Sequence, residues 1–196
     1  MRNDQRGFSL VELLVSVAVL VMALGGLASL LIQNARINKA QRMTAEVQAN
    51  ARNTLSMVVQ ALRSAGWDPT NMGVPTVNLD PDTSDDVSEI EVFANLNEDP
   101  DTDDAGEQIL IRHLGSTREV VWRESSDTTQ PFIVLSSNIS NDADGDGTIE
   151  PMFVPDANPP TRVTVQITAQ SPAPDPTSGE FIRYTVSSDV VLRKAL

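Results

Sequence analysis

The strongest feature of the hydrophobic pattern is an unbroken apolar run near the start of the chain. Leu13–Ile32 contains no charged side chain over twenty residues. A helix of about 20 apolar residues spans the hydrocarbon core of a bilayer, which is roughly 30 Å thick. A buried core helix of that length would normally show a polar face, and this run has none. The run therefore predicts a membrane-spanning helix.

Beyond Ile32 the apolar positions continue at helical spacing, and no proline interrupts them before Trp67. Steps of three or four residues place these positions on one helix face: Ile37, Ala40, Met43, Val47, Ala51, Leu55, Val58, Leu62 and Ala65. Gly66 suits the position that follows a helix C-terminus. The pattern predicts one continuous helix over residues 8–65, about 87 Å long at 1.5 Å per residue. A single globular domain does not need a helix of this length.

After Trp67 the hydrophobic period changes from helical to two. The alternation predicts short strands at 87–93, 107–114, 119–123, 132–135, 162–169, 181–186 and 189–193. The segment 171–179 contains three prolines, which a central strand does not tolerate, so it is predicted to be a hairpin loop. The predicted fold is α+β: a long N-terminal helix, membrane-spanning in its first half, packed against an antiparallel β-sheet head domain.

The distribution of charge divides the chain at the same place. Residues 1–67 carry seven basic and three acidic residues, whereas residues 68–196 carry seven basic and 24 acidic ones. The net charge of −13 argues against nucleic acid as a partner, because phosphate requires a basic surface. The absence of cysteine excludes disulfides and zinc–thiolate sites.

No catalytic motif stands out, so the chain is not expected to be an enzyme. His113 is the single histidine of the chain, and a lone histidine in a strand is more often structural than catalytic. Trp67 and Trp122 are expected to anchor the core.

One acidic residue lies beside the apolar run. Arg2 and Arg6 precede the run, which predicts a cytoplasmic N-terminus and an external head. Glu12 lies among Leu10, Val11, Leu13 and Leu14, where a carboxylate is costly and indicates a function. The alternative is an interfacial side chain that snorkels at the cytoplasmic edge.

The segment Arg6–Leu14, with the sequence RGFSLVELL, resembles the prepilin signal of type IV pilins and type II secretion pseudopilins. The resemblance implies that a prepilin peptidase cleaves between Gly7 and Phe8 and methylates the amine of Phe8. It also implies that Glu12 neutralises the new amine of a neighbouring subunit during filament assembly. The implied division is a leader (1–7), a transmembrane and filament-core helix (8–32), an amphipathic continuation (33–66) and an acidic β-rich head (67–196).

Four further segments resemble PilW-type minor pilins: residues 48–52, residues 62–69 (LRSAGWDP), residues 101–107 and a closing strand that ends at residues 191–193. This resemblance implies a minor subunit of a type IV pilus that primes assembly at or near the tip. The implied partners are the major pilin, other minor pilins, the prepilin peptidase, the inner-membrane assembly platform and a PilY-type tip adhesin. The implied location is the inner membrane with a periplasmic head, and later the extracellular pilus.

Two other functions stay open at this point. A type II secretion minor pseudopilin would share every N-terminal feature. A membrane-anchored binding domain that never polymerises would share the helix and the head.

The acidic segment 141–150 (NDADGDGTIE) has the spacing of a calcium-binding loop. Asp142, Asp144 and Asp146 occupy the first, third and fifth positions, and Thr148 and Glu150 offer further oxygens. Phe153 stands where the bidentate glutamate of an EF-hand would be. The segment thus predicts a partial calcium site, with a solvated acidic turn as the alternative.

A second acidic segment, residues 95–107, is a weaker candidate for calcium. Its polar residues alternate at Asn95, Asn97, Asp99 and Asp101, and Asp104 and Glu107 follow. Pro100 stands where an EF-type loop would have glycine, which counts against calcium. The alternative is a solubilising surface loop.

Overall fold

A computed structural model describes residues 9–71, 73–79, 88–99, 101–102, 104, 106–124 and 129–193. One helix, α1, comprises Leu10–Ser64. Eight strands follow it: β1 (Val77–Leu79), β2 (Ser88–Phe93), β3 (Gln108–Leu114), β4 (Glu119–Glu124), β5 (Ile133–Ser137), β6 (Phe153–Pro155), β7 (Arg162–Gln170) and β8 (Arg183–Val191). The predicted α+β, pilin-like arrangement of one long N-terminal helix and antiparallel sheets is confirmed.

Helix α1 has two halves with opposite environments. Every residue from Ser9 to Lys39 is exposed. Burial begins at Met43 and recurs along one face: Met43, Val47, Ala51, Thr54, Val58, Val59 and Leu62. Because the head covers only the second half of α1, the apolar first half projects from it as an uncovered helix.

The strands form two antiparallel sheets where the sequence predicted one. The first has the order β1-β2-β3-β4-β5 and the second the order β6-β7-β8. Helix α1 packs chiefly on β7 and β8, with further contacts to β2 and β5. An isolated bridge between Ile139 and Ala169 links the segment after β5 to β7. The second sheet thus lies directly on the helix, and the first sheet extends from it.

The core follows the two periodicities of the sequence. Ala51, Val58 and Leu62 of α1 are fully buried. On β7, Val163, Val165 and Ile167 form the buried face, as the alternation predicted. The two sheets contribute to one cluster, which also includes Ile90, Ile111, Val120, Ile139 and Met152. Each buried valine, leucine, isoleucine or methionine of this core stabilises the fold by about 1.5–3 kcal/mol.

Two details of the strand prediction were wrong. The segments 181–186 and 189–193 were predicted as separate strands, but β8 is continuous from Arg183 to Val191. Its pairing with β7 proceeds without a break, so Ser187 and Ser188, which lie between the two predicted strands, are ladder residues. The short strands β1 and β6 were not predicted, since three residues are too few to show a period.

Trp67 was predicted to be a core residue, and this was also wrong. Its side chain is 41% exposed. The guanidinium carbon of Arg193 lies 4.5 Å from the centre of the Trp67 ring, so the indole packs under a cation at the surface. Trp122, by contrast, is half-buried against the core cluster.

Candidate functional site

Glu12 lies in the first turn of α1 and is exposed. Its backbone N–H donates to the carbonyl oxygen of Ser9 at 3.0 Å, and the Ser16 hydroxyl donates to the Glu12 carbonyl at 2.7 Å. Its neighbours are large apolar side chains that are themselves at least 60% exposed: Leu10, Val11, Leu13 and Leu14. Among the described residues, the Glu12 carboxylate therefore lies within an apolar stretch of the helix surface. The predicted processing residues, Gly7 and Phe8, lie outside the described residues.

The apolar surface of α1 continues far beyond Glu12. Large hydrophobic side chains between Leu10 and Ile32 are at least half exposed. This part of the helix is long and apolar enough to cross a membrane, judged by its length and composition. Soluble monomers rarely expose contiguous apolar patches larger than a few hundred Å². The first half of α1 therefore requires a cover that the rest of the described chain does not supply, either lipid or other helices.

One comparison with known proteins finds a match, and it lies at the N-terminus. The family model described as the prokaryotic N-terminal methylation motif matches residues 2–28, which include Gly7, Phe8 and Glu12. No curated protein and no solved structure matches the chain. The N-terminus thus carries a type IV pilin-like signal, and this motif supports the class of type IV pilins and pseudopilins.

The loop between β2 and β3, residues 95–107, is the first acidic candidate site. One carboxylate oxygen from each of Asp99, Asp101, Asp104 and Glu107 lies within 4.8 Å of the others. Two of the four predicted ligands, Asp99 and Asp101, are therefore brought together. Asp104 and Glu107 also belong to this cluster, although the sequence pattern did not predict them as ligands.

The two predicted asparagine ligands have other roles in this loop. Asn95 is fully buried, and its amide nitrogen donates to the Asp99 carbonyl at 2.7 Å. Its backbone N–H donates to the carbonyl oxygen of Trp67 at 2.7 Å, which ties the loop to the end of α1. The amide nitrogen of Asn97 donates to carboxylate oxygens of Asp99 at 2.8 Å and Asp104 at 2.6 Å. Asn95 thus anchors the loop, whereas Asn97 bridges two of its carboxylates.

The carboxylates of the 95–107 loop perturb one another. The pKa of Asp99 is lowered, chiefly because the backbone N–H of Asp101 donates to it. The pKa of Asp104 is raised, chiefly by a hydrogen bond shared with Asp99, and further by the negative charges of Asp99 and Asp101. Like charges this close favour retention of a proton at one of them.

The loop between β5 and β6, residues 141–150, is the second acidic candidate site. Asp142, Asp144 and Asp146 each place a carboxylate oxygen within 4.8 Å of the others, so the first three predicted ligands do converge. The predicted ligand Glu150 accepts the backbone N–H of Ala143 at 3.1 Å. Thr148, also predicted, donates its backbone N–H to Asp146 at 2.6 Å, and this bond lowers the pKa of Asp146.

An arginine of β8 lies against this second loop. A guanidinium nitrogen of Arg183 is 3.8 Å from a carboxylate oxygen of Asp142. Its guanidinium group also lies 2.6 Å from where a Cβ on Gly145 would stand. The chain therefore supplies a counter-charge to the 141–150 loop, a feature that the sequence alone did not indicate. Calcium in this loop stays a prediction.

His113 has a structural environment. Its side chain is fully buried, and Nε2 lies 2.9 Å from the carbonyl oxygen of Ile139. Burial lowers the pKa of His113, because the charged ring would be desolvated, while the hydrogen bond to Ile139 acts in the opposite direction. His113 therefore acts as a neutral, buried side chain that packs β3 against the segment after β5.

Proposed function

We propose that this chain is a minor pilin of a type IV pilus, which enters the filament through α1 and primes assembly at or near the tip. The observation that carries the proposal is the division of α1. Its first half is apolar and uncovered, while its second half seats the acidic head. The methylation motif at residues 2–28 supports the same class of protein.

The division of α1 suits a subunit that moves between two apolar environments. In the bilayer, lipid covers Leu13–Ile32, which spans about 30 Å at 1.5 Å per residue. In a filament, the same surface packs against the equivalent helices of neighbouring subunits. The head buries residues of α1 only from Met43 onward, which is beyond the membrane-spanning segment. The head therefore stays outside the hydrocarbon in both states.

Glu12 provides the electrostatic element of assembly in this proposal. Cleavage after Gly7 creates an α-amine on Phe8, which the peptidase methylates. The Glu12 carboxylate of one subunit pairs with the Phe8 amine of the next. Opposite charges in an apolar filament core persist only as pairs, so each subunit needs its neighbour to satisfy both groups.

The proposed partners follow from the same role. They are the prepilin peptidase, the inner-membrane assembly platform, the major pilin, other minor pilins and a PilY-type tip adhesin. The chain acts by binding and assembly and not by turnover. Before assembly, the protein resides in the inner membrane with its head in the periplasm.

The main alternative is a minor pseudopilin of a type II secretion system. A strain lacking the chain separates the two roles. Loss of surface filaments with normal protein secretion supports the pilus assignment. Retention of filaments with loss of secretion supports the pseudopilin.

The test of the assembly mechanism is a set of substitutions on α1. We expect Glu12→Ala to leave the protein in the membrane and remove it from the sheared filament fraction, because the Phe8 amine loses its partner. Glu12→Asp keeps the charge and should restore part of the incorporation. Glu46→Ala removes an exposed carboxylate from the second half of the same helix and serves as the control. Incorporation of Glu12→Ala at the wild-type level would contradict the proposed pairing and favour a snorkelling residue.

A further inference from the structure

The four carboxylates of the 95–107 loop have the spacing of ligands around one ion. Calcium binds oxygen at about 2.3–2.6 Å, so ligands on opposite sides of the ion are roughly 4.6–5.2 Å apart. The selected oxygens of Asp99, Asp101, Asp104 and Glu107 all lie within 4.8 Å of one another. One cation would thus be within reach of all four groups.

Glu107 supplies a second, independent observation. Its side chain is 1% exposed, although it carries a carboxylate. One oxygen, Oε1, accepts the backbone N–H groups of Leu96 at 2.6 Å and Asn97 at 3.1 Å. The other oxygen, Oε2, is buried and has no hydrogen-bond partner in the described part of the chain. A buried carboxylate oxygen without a partner is costly, and a cation would satisfy it.

We infer that the 95–107 loop is a calcium site with Asp99, Asp101, Asp104 and Glu107 as its carboxylate ligands. The donor set consists of hard oxygens, which suit Ca²⁺ and Mg²⁺. Four carboxylates on one short loop give a high negative charge and irregular geometry, which Ca²⁺ accommodates with six to eight ligands. Magnesium, by contrast, demands a near-ideal octahedron.

The two acidic loops differ in the cationic side chains that lie beside them. Asp142 of the 141–150 loop is already paired with the Arg183 guanidinium at 3.8 Å. Within the described residues, Asp99, Asp104 and Glu107 of the 95–107 loop form no ion pair with an arginine or a lysine. No cationic side chain of the described chain therefore balances these three charges, although the 95–107 loop has the weaker sequence pattern for calcium.

The position of the site gives calcium a structural role. The 95–107 loop is closed by a hydrogen bond from the Ala94 N–H to the Glu107 carbonyl at 2.8 Å. Asn95 joins it to the Trp67 carbonyl just beyond α1. Neutralising the carboxylates should hold this loop in place and so stabilise the junction between the helix and the head. This inference is independent of whether the protein enters a pilus or a pseudopilus.

The test is thermal unfolding of the full chain in detergent, with EDTA or with about 2 mM CaCl₂. Saturating calcium should raise the Tm of the wild-type protein by about 5 °C or more, since the ion binds only the folded state. Glu107→Gln and Asp104→Asn should each abolish most of this increase. Asp104→Asn should also melt higher than wild type in EDTA, because it removes charge repulsion. Asp144→Asn, in the other loop, is the matched control and should keep the increase.

A second measurement uses an exposed residue, so its outcome does not depend on the folding of the buried variant Glu107→Gln. Calorimetric titration of the wild type with CaCl₂ should give one ion per chain. Asp104→Asn alters an exposed residue and should weaken calcium binding at least tenfold. An equal wild-type Tm in EDTA and calcium would overturn the site. So would a calcium response that survives in Asp104→Asn and disappears in Asp144→Asn, which would place the ion in the 141–150 loop.

Discussion

The backbone N–H of Gly66 donates a hydrogen bond to the carbonyl oxygen of Phe93 at 2.8 Å. This bond connects the residue just beyond α1 to the last residue of β2. Gly66 has a φ of +69°, and a Cβ there would lie 2.6 Å from Thr76 Cγ2 and 2.9 Å from the Arg193 carbonyl oxygen. The end of the helix, the first sheet and the end of the described chain thus converge on a position that only glycine fits.

Gly66→Ala should therefore destabilise the head strongly. The substitution adds strain at positive φ and a clash with backbone, and we expect a loss of about 2–4 kcal/mol in the free energy of unfolding. Gly73→Ala is the matched control, because Gly73 has a φ of +82° and open space around it. Its cost should be about 1 kcal/mol. Denaturant unfolding of the two variants measures the difference, and equal losses would contradict the close approach at Gly66.

The ion pair between Glu89 and Arg112 should be the most sensitive electrostatic contact of the first sheet. The Glu89 side chain is completely buried, and Arg112 pairs with it across β2 and β3. Arg112→Met removes the guanidinium that pairs with this buried carboxylate and should cost about 3–5 kcal/mol. The control is the exposed pair in which a guanidinium nitrogen of Arg162 lies 3.8 Å from a carboxylate oxygen of Asp189. Arg162→Met should cost under about 1 kcal/mol.

A double variant tests the reason for that cost. Glu89→Leu combined with Arg112→Met removes both charges and should recover much of the stability lost in Arg112→Met alone. If the double variant is as unstable as the sum of its parts, then packing and not charge explains the effect.

His113 should make the stability of the fold depend on pH. The pKa of a histidine in the unfolded chain is about 6.5. Burial lowers the pKa of His113 in the fold, so below that pH the unfolded state binds a proton that the folded state does not. The stability contributed by the neutral ring is complete above pH 6.5 and is lost as the pH falls through the folded pKa.

The measurement is the Tm between pH 7.5 and 5.5, for the wild type and for His113→Gln. The glutamine does not titrate and can still donate to the Ile139 carbonyl. The variant should show a smaller decrease in Tm over this range. Parallel pH profiles would mean that His113 does not cause the pH dependence of stability. No other histidine can contribute, because His113 is the single histidine of the chain.

Gly7→Leu should block maturation. The peptidase of the proposed pathway cleaves after Gly7, and a branched side chain at that position obstructs the cut. We expect the full-length chain to accumulate in membranes, as judged by intact mass. Appearance of the shortened form at the wild-type level would show that cleavage occurs elsewhere.

The sequence predicted the helix and most strands because their signals are local. The apolar run and the three-and-four spacing define α1, and the alternation on β7 defines its buried face. Partners across strands are not local. The alternation of β2 predicts that Glu89 shares an exposed face with Glu91. Glu89 is nevertheless buried, and the strand register sets its ion-pair partner Arg112 opposite it.

The same limit applies to the acidic loops. Spacing along the chain drew attention to Asn95 and Asn97, but hairpin closure is what brings Glu107 to Asp99. For the 141–150 loop, the sequence spacing grouped Asp142, Asp144 and Asp146, whose carboxylates lie close together in the structure, but it could not place Arg183 beside them. That contact depends on the pairing of β7 with β8 and on the path of the chain after β5.

The most direct test of the central proposal is the N-terminus of the protein in its two locations. Intact mass and N-terminal sequencing would be applied to a sheared filament fraction and to membranes. The proposal predicts a chain that begins with N-methylated Phe8 in the filament fraction. A chain that begins with Met1 and occurs only in membranes would contradict it, and would identify α1 as a plain anchor for the head.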